Sequence, residues 1–129
     1  MKREYMLELF RQYTEGWKEW NKAMILGCLD SNSVITEFNG QKFAGIEQIK
    51  RWLSDWENEG NKVTQWEIKS GYYDLESRVG VFEWIFTCFV GSDKYHFKGS
   101  SIVKYQGNLI KEMREYQMEA DNYYPYGDN

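Results

Sequence analysis

Apolar side chains recur at three- and four-residue steps from Tyr5 to Trp20: Met6, Leu9, Phe10, Tyr13, Trp17 and Trp20 fall on one stripe, which predicts an amphipathic helix. Gly16 lies inside that stripe and is the expected point for a kink or division. A second, shorter helical stretch, 23–29, runs into Asp30-Ser31-Asn32-Ser33, a cluster that favours a turn. Val34 to Phe38 then reads as a β-branched strand closed by Asn39-Gly40, a hairpin dipeptide. After Gly45, residues Ile46, Ile49, Trp52, Leu53 and Trp56 again share one helical face, until Asn58-Glu59-Gly60-Asn61 stops the helix. The Trp-rich face of that helix is expected to pack on a sheet.

From there the period shortens. Thr64, Trp66, Ile68 and Tyr72 alternate with polar residues, 78–90 is β-rich throughout, and 94–105 and 109–119 follow Gly91-Ser92-Asp93 and Gln106-Gly107-Asn108. Four strands joined by short turns predict an antiparallel meander. Helices first, one helix after the first strand and then a meander imply an α+β domain with its helices on one face of the sheet. The strand Val81 to Val90 carries large apolar residues on both faces. That is the pattern of a strand covered by helices on one side and by a second subunit on the other, so a homodimer through the outer sheet face is expected; the alternative is a strand buried within one chain. The tail, 121–129, with Tyr123, Tyr124, Pro125 and Tyr126, is expected to lie along the fold or over a pocket mouth.

Composition changes this picture in one respect. The 129 residues suit a single domain over 1–129, and 28% charged and 42% hydrophobic residues are ordinary globular usage. Six Trp, ten Tyr and seven Phe make 18% of the chain, more aromatic surface than a minimal core needs, which points to a pocket or an interface. A net charge of -4 gives no basic footprint for nucleic acid. No apolar run is long enough to cross a membrane and no signal-like segment opens the chain, so a cytoplasmic protein is expected. Cys28 and Cys88 read as free buried thiols; with one histidine, His96, and no CxxC or HxxxH spacing, neither a metal nor a cofactor is expected.

Several short stretches, in order, resemble the nuclear transport factor 2-like superfamily, in particular its SnoaL-like (polyketide cyclase and ketosteroid isomerase-like) members: 34–40 leading to 43–49, then Phe82-Glu83-Trp84, then 97–101, and last 110–116. The resemblance spans nearly the whole chain. It implies a cone-shaped fold, a curved antiparallel or mixed sheet packed against N-terminal helices (cystatin-like), with a pocket between them and dimers through the outer face. Glu37 resembles the catalytic carboxylate of ketosteroid isomerases, three residues ahead of the hairpin Gly40. Glu115 resembles the carboxylate that limonene-epoxide hydrolases place before the Tyr of the last strand, here Tyr116. Tyr13 resembles in position the phenol that donates to an oxyanion in the isomerases. The isomerases' second acid has no counterpart, and Trp84-Ile85-Phe86 stands where the hydrolases have Arg-x-Asp.

A carboxyl group in an aromatic pocket loses hydration and its pKa rises, so Glu37 or Glu115, facing inward, would serve as a general base with Tyr13 or Tyr116 as donor to a developing oxyanion. The plainer reading pairs each Glu with Lys104, Lys111 or Arg114 on a strand. His96, facing away from its neighbours Tyr95 and Phe97, reads as structural. Trp84, Phe86 and Cys88 share one strand face, which the hydrolase comparison turns toward the pocket; Trp17, Trp84, Phe86 and Met113 are the expected ligand contacts, whereas Trp52 and Trp56 are expected in the core. The expected function is binding of a small apolar or aromatic molecule. A cofactor-independent isomerase, cyclase or hydrolase using one carboxylate is the alternative, and a scaffold whose pocket is filled is the third. An inward Glu beside a phenol favours the enzyme, and a purely apolar lining favours binding.

Overall fold

The computed structural model describes residues 1–127. The first amphipathic stripe forms one unbroken helix, α1 (Arg3–Glu19). Gly16 does not kink it. A Cβ there would sit 2.7 Å from Ile25 Cγ1, so the glycine lets the short helix α2 (Lys22–Gly27) lie against α1. Between them Trp20 takes a left-handed conformation (φ 51°), and Asn21 caps α2 by accepting from the Met24 amide.

Strand β1 (Leu29–Thr36) starts earlier than Val34, through the turn-favouring Asp30 to Ser33, and its register on the neighbouring strand shifts there. An irregularity in the pairing absorbs residues that propensity alone assigns to a turn. The hairpin at Asn39-Gly40 forms as expected: the Gly40 amide donates to the Glu37 carbonyl at 2.9 Å, and β2 (Lys42–Ala44) pairs back on β1. Helix α3 (Ile46–Asn58) and strands β3 (Lys62–Asp74), β4 (Val79–Val90), β5 (Asp93–Gln106) and β6 (Leu109–Met118) follow.

The six strands make one mixed sheet in the order β2-β1-β6-β5-β4-β3. Every pairing is antiparallel except β1 with β6. Register shifts within β3 and at Tyr105 are bulges, which bend strands and deepen the curl of the sheet. Helix α1 lies against β3, β4 and β6, and α3 against β1 and β2, so the helices cover the concave face. At one end the cone closes. Met6, Phe10, Ile25, Phe82, Val103, Ile110 and Met113 are fully buried there, the Phe10 and Phe82 rings stack at 4.5 Å, and the Tyr105 hydroxyl donates to the Met6 carbonyl at 2.6 Å.

The tail does not behave as expected. Tyr123, Tyr124 and Tyr126 are exposed (79%, 69% and 95%), because the chain leaves β6 after Met118 with no strand or helix to hold those rings against the sheet. The last two residues of the segment lie outside the described residues.

Candidate ligand pocket

At the wide end, α1 and α3 stand away from the sheet and leave a cavity of about 890 Å³. The side chains that line it follow from the periodicities of the elements. Tyr13 and Trp17 continue the α1 stripe one and two turns beyond Phe10. Trp84, Phe86 and Cys88 alternate inward along β4, and Trp66 and Val63 come from β3. Trp52 and Trp56, expected in the core, line the cavity as well: α3 packs its Leu53 and Ile49 inward and leaves the two indoles on its flank facing Trp17, at 5.0 and 5.5 Å between ring centres. Trp84 owes its position to Gly99, its partner across β4 and β5; a Cβ there would overlap the Trp84 indole and the Tyr116 carbonyl oxygen.

Two carboxyl groups sit in this aromatic wall. Glu115, on β6, is 7% exposed, and its Oε2 accepts from Ser101 Oγ at 3.2 Å, while the same Ser101 Oγ accepts from Trp84 Nε1 at 3.0 Å. Ser101 has one proton to give, and the indole bond commits it to Glu115. The Glu115 carboxyl also bonds that of Glu37, which follows β1. Two carboxyl groups joined by a hydrogen bond must share a proton. Burial raises the pKa of Glu115 well above its ordinary value, and the charge of Glu37 raises it further. Burial raises Glu37 too, but its bond to Glu115 opposes that rise. Of the two, Glu115 holds its proton the more tightly, and Glu37 is the acceptor in their bond.

Beside the pair, the Tyr13 hydroxyl is fully buried without a hydrogen-bond partner, its pKa pushed well up by burial and by the charges of Glu115 and Glu37. The indole N–H groups of Trp17, Trp56 and Trp66 are likewise buried and unpartnered. Buried donors in proteins ordinarily have acceptors. Here all four belong to residues that line one cavity.

The structure thus brings together Glu37, Glu115, Tyr13, Trp17, Trp84 and Phe86 around one space. Met113 is not among them: it shares the inner face of β6 with Glu115, two residues nearer the closed end, and is packed fully in the core. Tyr116 faces the other side of the sheet and is 52% exposed, so of the two phenols only Tyr13 reaches the carboxyl pair. Neither Glu37 nor Glu115 forms an ion pair with Lys104, Lys111 or Arg114, which pair with Glu112 and Asp30. His96 lies at the cavity mouth with Nδ1 2.7 Å from Thr87 Oγ1. Cys28 is buried at the end of α2, where burial pushes its thiol up to about 12. Sequence reasoning missed Ser101 and Trp66. Ser101 is two positions beyond Gly99 on β5, hence on the same face; period two alone could have found it. Among the described residues no group of three or more His, Cys, Asp or Glu side chains is placed to hold a metal ion.

No protein-family model and no curated protein matches the sequence, whereas the fold has many solved counterparts. A protein with a cystatin-like fold from Methylobium petroleophilum is 24% identical, with a TM-score of 0.71 over 100% of this chain and 84% of that one. An LEH-like epoxide hydrolase of M. tuberculosis is 10% identical, with a TM-score of 0.77 over 89% of this chain and 84% of that one. A protein with a ketosteroid isomerase-like fold from Catenulispora acidiphila, solved in complex with trimethylamine, is 15% identical, with a TM-score of 0.70 over 84% of each chain. At these identities the likeness is one of fold. The fold is the cystatin-like, ketosteroid isomerase-like cone that the resemblance to the nuclear transport factor 2-like superfamily implies.

Proposed function

We propose that this protein binds a small organic molecule in the cavity between α1, α3 and the sheet. The observation that carries the reading is an open cavity of about 890 Å³ whose wall sets the carboxyl groups of Glu37 and Glu115 among the rings of Trp17, Trp66, Trp84 and Phe86. A ligand there covers the aromatic faces and gives the carboxyl groups a partner. The open cavity argues against a scaffold whose pocket is filled, and the trimethylamine complex of the Catenulispora protein supports occupancy of this fold by small molecules. Native mass spectrometry of the purified protein, with tryptophan emission followed during titration of a metabolite panel, tests it. Retained mass or a saturable emission change is expected; emission unmoved by every compound, with no retained mass, would overturn it.

A second reading is favoured by the Glu37 and Glu115 pair beside Tyr13: a cofactor-independent isomerase, cyclase or hydrolase in which Glu37 takes a proton and Tyr13 donates to the developing oxyanion. On that reading Glu37→Gln lowers turnover of a substrate by about 10²-fold or more while affecting its affinity much less.

The protein is further taken to be a cytoplasmic, single-domain homodimer. Among the described residues no helix is long and apolar enough to cross a membrane. No helix covers the outer face of β4, where Val81, Ile85 and Phe89 project, and exposed Tyr116 and Met118 extend that face on β6. Light scattering tests the dimer, with Ile85→Lys expected to shift the mass to that of one chain.

A further inference from the structure

The charge on the cavity wall does not suit the apolar or aromatic guest expected from composition. Five carboxyl side chains line it: Glu37, Asp55, Glu59, Glu115 and Glu119. Among the described residues none of the five forms an ion pair with a lysine or arginine. Lys94 and His96, both exposed at the mouth, are the basic side chains on that wall. A neutral hydrocarbon entering here would strip water from the Glu37 carboxyl and offer it neither a hydrogen bond nor an opposite charge in return.

The remaining wall is aromatic, and aromatic faces carry negative potential. Trp17, Trp52, Trp56, Trp66, Trp84 and Phe86 surround the space, packed mostly edge to face or tilted (interplanar angles of 55° to 89°), so rings point at the cavity from different sides. Such a cage attracts an organic cation whose methyl or methylene groups give up water cheaply. An inorganic cation is excluded on chemistry, since it needs several oxygen ligands and the described residues offer no such cluster. The Tyr13 hydroxyl and the Trp17 indole N–H are closed to the cavity and set no further requirement on the guest.

We infer that the pocket takes a small alkylammonium compound, its cationic head between the indole faces and opposite Glu37. This assignment rests on the pocket being a binding site and narrows its ligand class.

The test compares choline with 3,3-dimethylbutan-1-ol, which has the same shape and hydroxyl but carbon in place of the charged nitrogen, by calorimetry and tryptophan emission on the full chain, with indole as a neutral aromatic control. Choline is expected to bind about tenfold tighter than the alcohol or better. Glu37→Gln is expected to narrow that gap, circular dichroism confirming that the variant is folded. Should that variant not fold, Asp55→Asn, on the exposed side of α3 at the cavity mouth, is expected to narrow it by a smaller factor. Equal or tighter binding of the alcohol, or a gap that both variants leave intact, overturns the cation assignment. Binding of indole or the alcohol without choline sinks the assignment and keeps the pocket; if none of the three binds, the cation assignment falls, while the pocket falls only if the metabolite panel and native mass spectrometry are silent too.

Discussion

The two ends of the cone are built from the same elements and differ residue by residue. Along α1, Met6 and Phe10 give way to Tyr13 and Trp17; along β4, Gly80 and Phe82 to Trp84, Phe86 and Cys88; along β6, Ile110 and Met113 to Glu115 and Gln117. At the closed end side chains fill the space, and the Tyr105 hydroxyl donates to the Met6 carbonyl and the Ser33 hydroxyl to that of Ile110. At the open end buried donors stand unpartnered around a void. Close packing holds the fold together at one end and leaves the other open. The sharpest way to break this contrast is to truncate a ring at each end. Phe10→Ala removes a fully buried ring stacked on Phe82 and is expected to cost about 3–5 kcal/mol, whereas Phe86→Ala, half-buried on a wall that already borders empty space, is expected to cost less than half as much. Urea unfolding of both variants measures it, and equal losses would mean that the cavity wall is as tightly packed as the core.

A smaller effect is expected where the two ends meet the backbone. An alanine at Gly99 places its methyl group into the Tyr116 carbonyl and the Trp84 indole, and a carbonyl on a paired strand cannot swing aside. Overpacking of this kind costs about 1–3 kcal/mol. Because the displaced indole is the one that donates to Ser101, Gly99→Ala is also expected to weaken ligand binding. Ser101→Ala, which leaves the indole in place, separates the two effects: if it weakens binding as much, the Ser101 bonds and not the ring position matter.

Most of the architecture was legible because the periods were clean. The α1 stripe, the face of α3 and the Asn39-Gly40 hairpin each pointed to one element, whereas 81–90, apolar on both faces, read as a strand whose inward side came only from the hydrolase comparison. The parallel pairing of β1 with β6 was not legible, since nothing local to Val34 or Met113 encodes a partner some eighty residues away, and the start of β1 was masked by turn-favouring residues that the sheet overrides. In the site, Glu37, Glu115 and Tyr13 were readable only through the resemblance. Their meeting depends on the curl of the sheet, which bulges set. Met113 was misplaced for a related reason: period two assigns it the same face as Glu115 but is silent on depth along the cone. The tyrosines of the tail show the converse, aromatic composition without an element to bury it.

The carboxyl pair gives the next test, smaller again. Burial raises Glu115 above its ordinary value of 4.5, so the folded chain holds this proton more tightly than the unfolded chain does. As pH rises past that value the unfolded state loses the proton first, and stability falls until the folded state loses it too. A glutamine side chain in that place does not titrate, and its amide can donate to Glu37 while its carbonyl accepts from Ser101. Glu115→Gln is therefore expected to match the parent's melting temperature near pH 4 and to exceed it by several degrees at pH 8, Glu37 keeping its own share of the slope. A variant less stable than the parent at pH 8 would mean that the ionised form of Glu115 is favoured by the fold.

Tyr13→Phe carries the smallest expected change in stability and separates the two ends most directly. The Tyr13 ring belongs to the core cluster, tilted against Trp17 and Trp66, and Phe keeps those contacts. Only the hydroxyl is lost, and that hydroxyl is buried without a partner. Deleting an unsatisfied polar group relieves its desolvation, so the variant is expected to be as stable as the parent or more stable by about 1 kcal/mol. Tyr105→Phe at the closed end removes a hydroxyl that does have a partner, the Met6 carbonyl, and is expected to lose about 1 kcal/mol. The two single-oxygen deletions thus move stability in opposite directions.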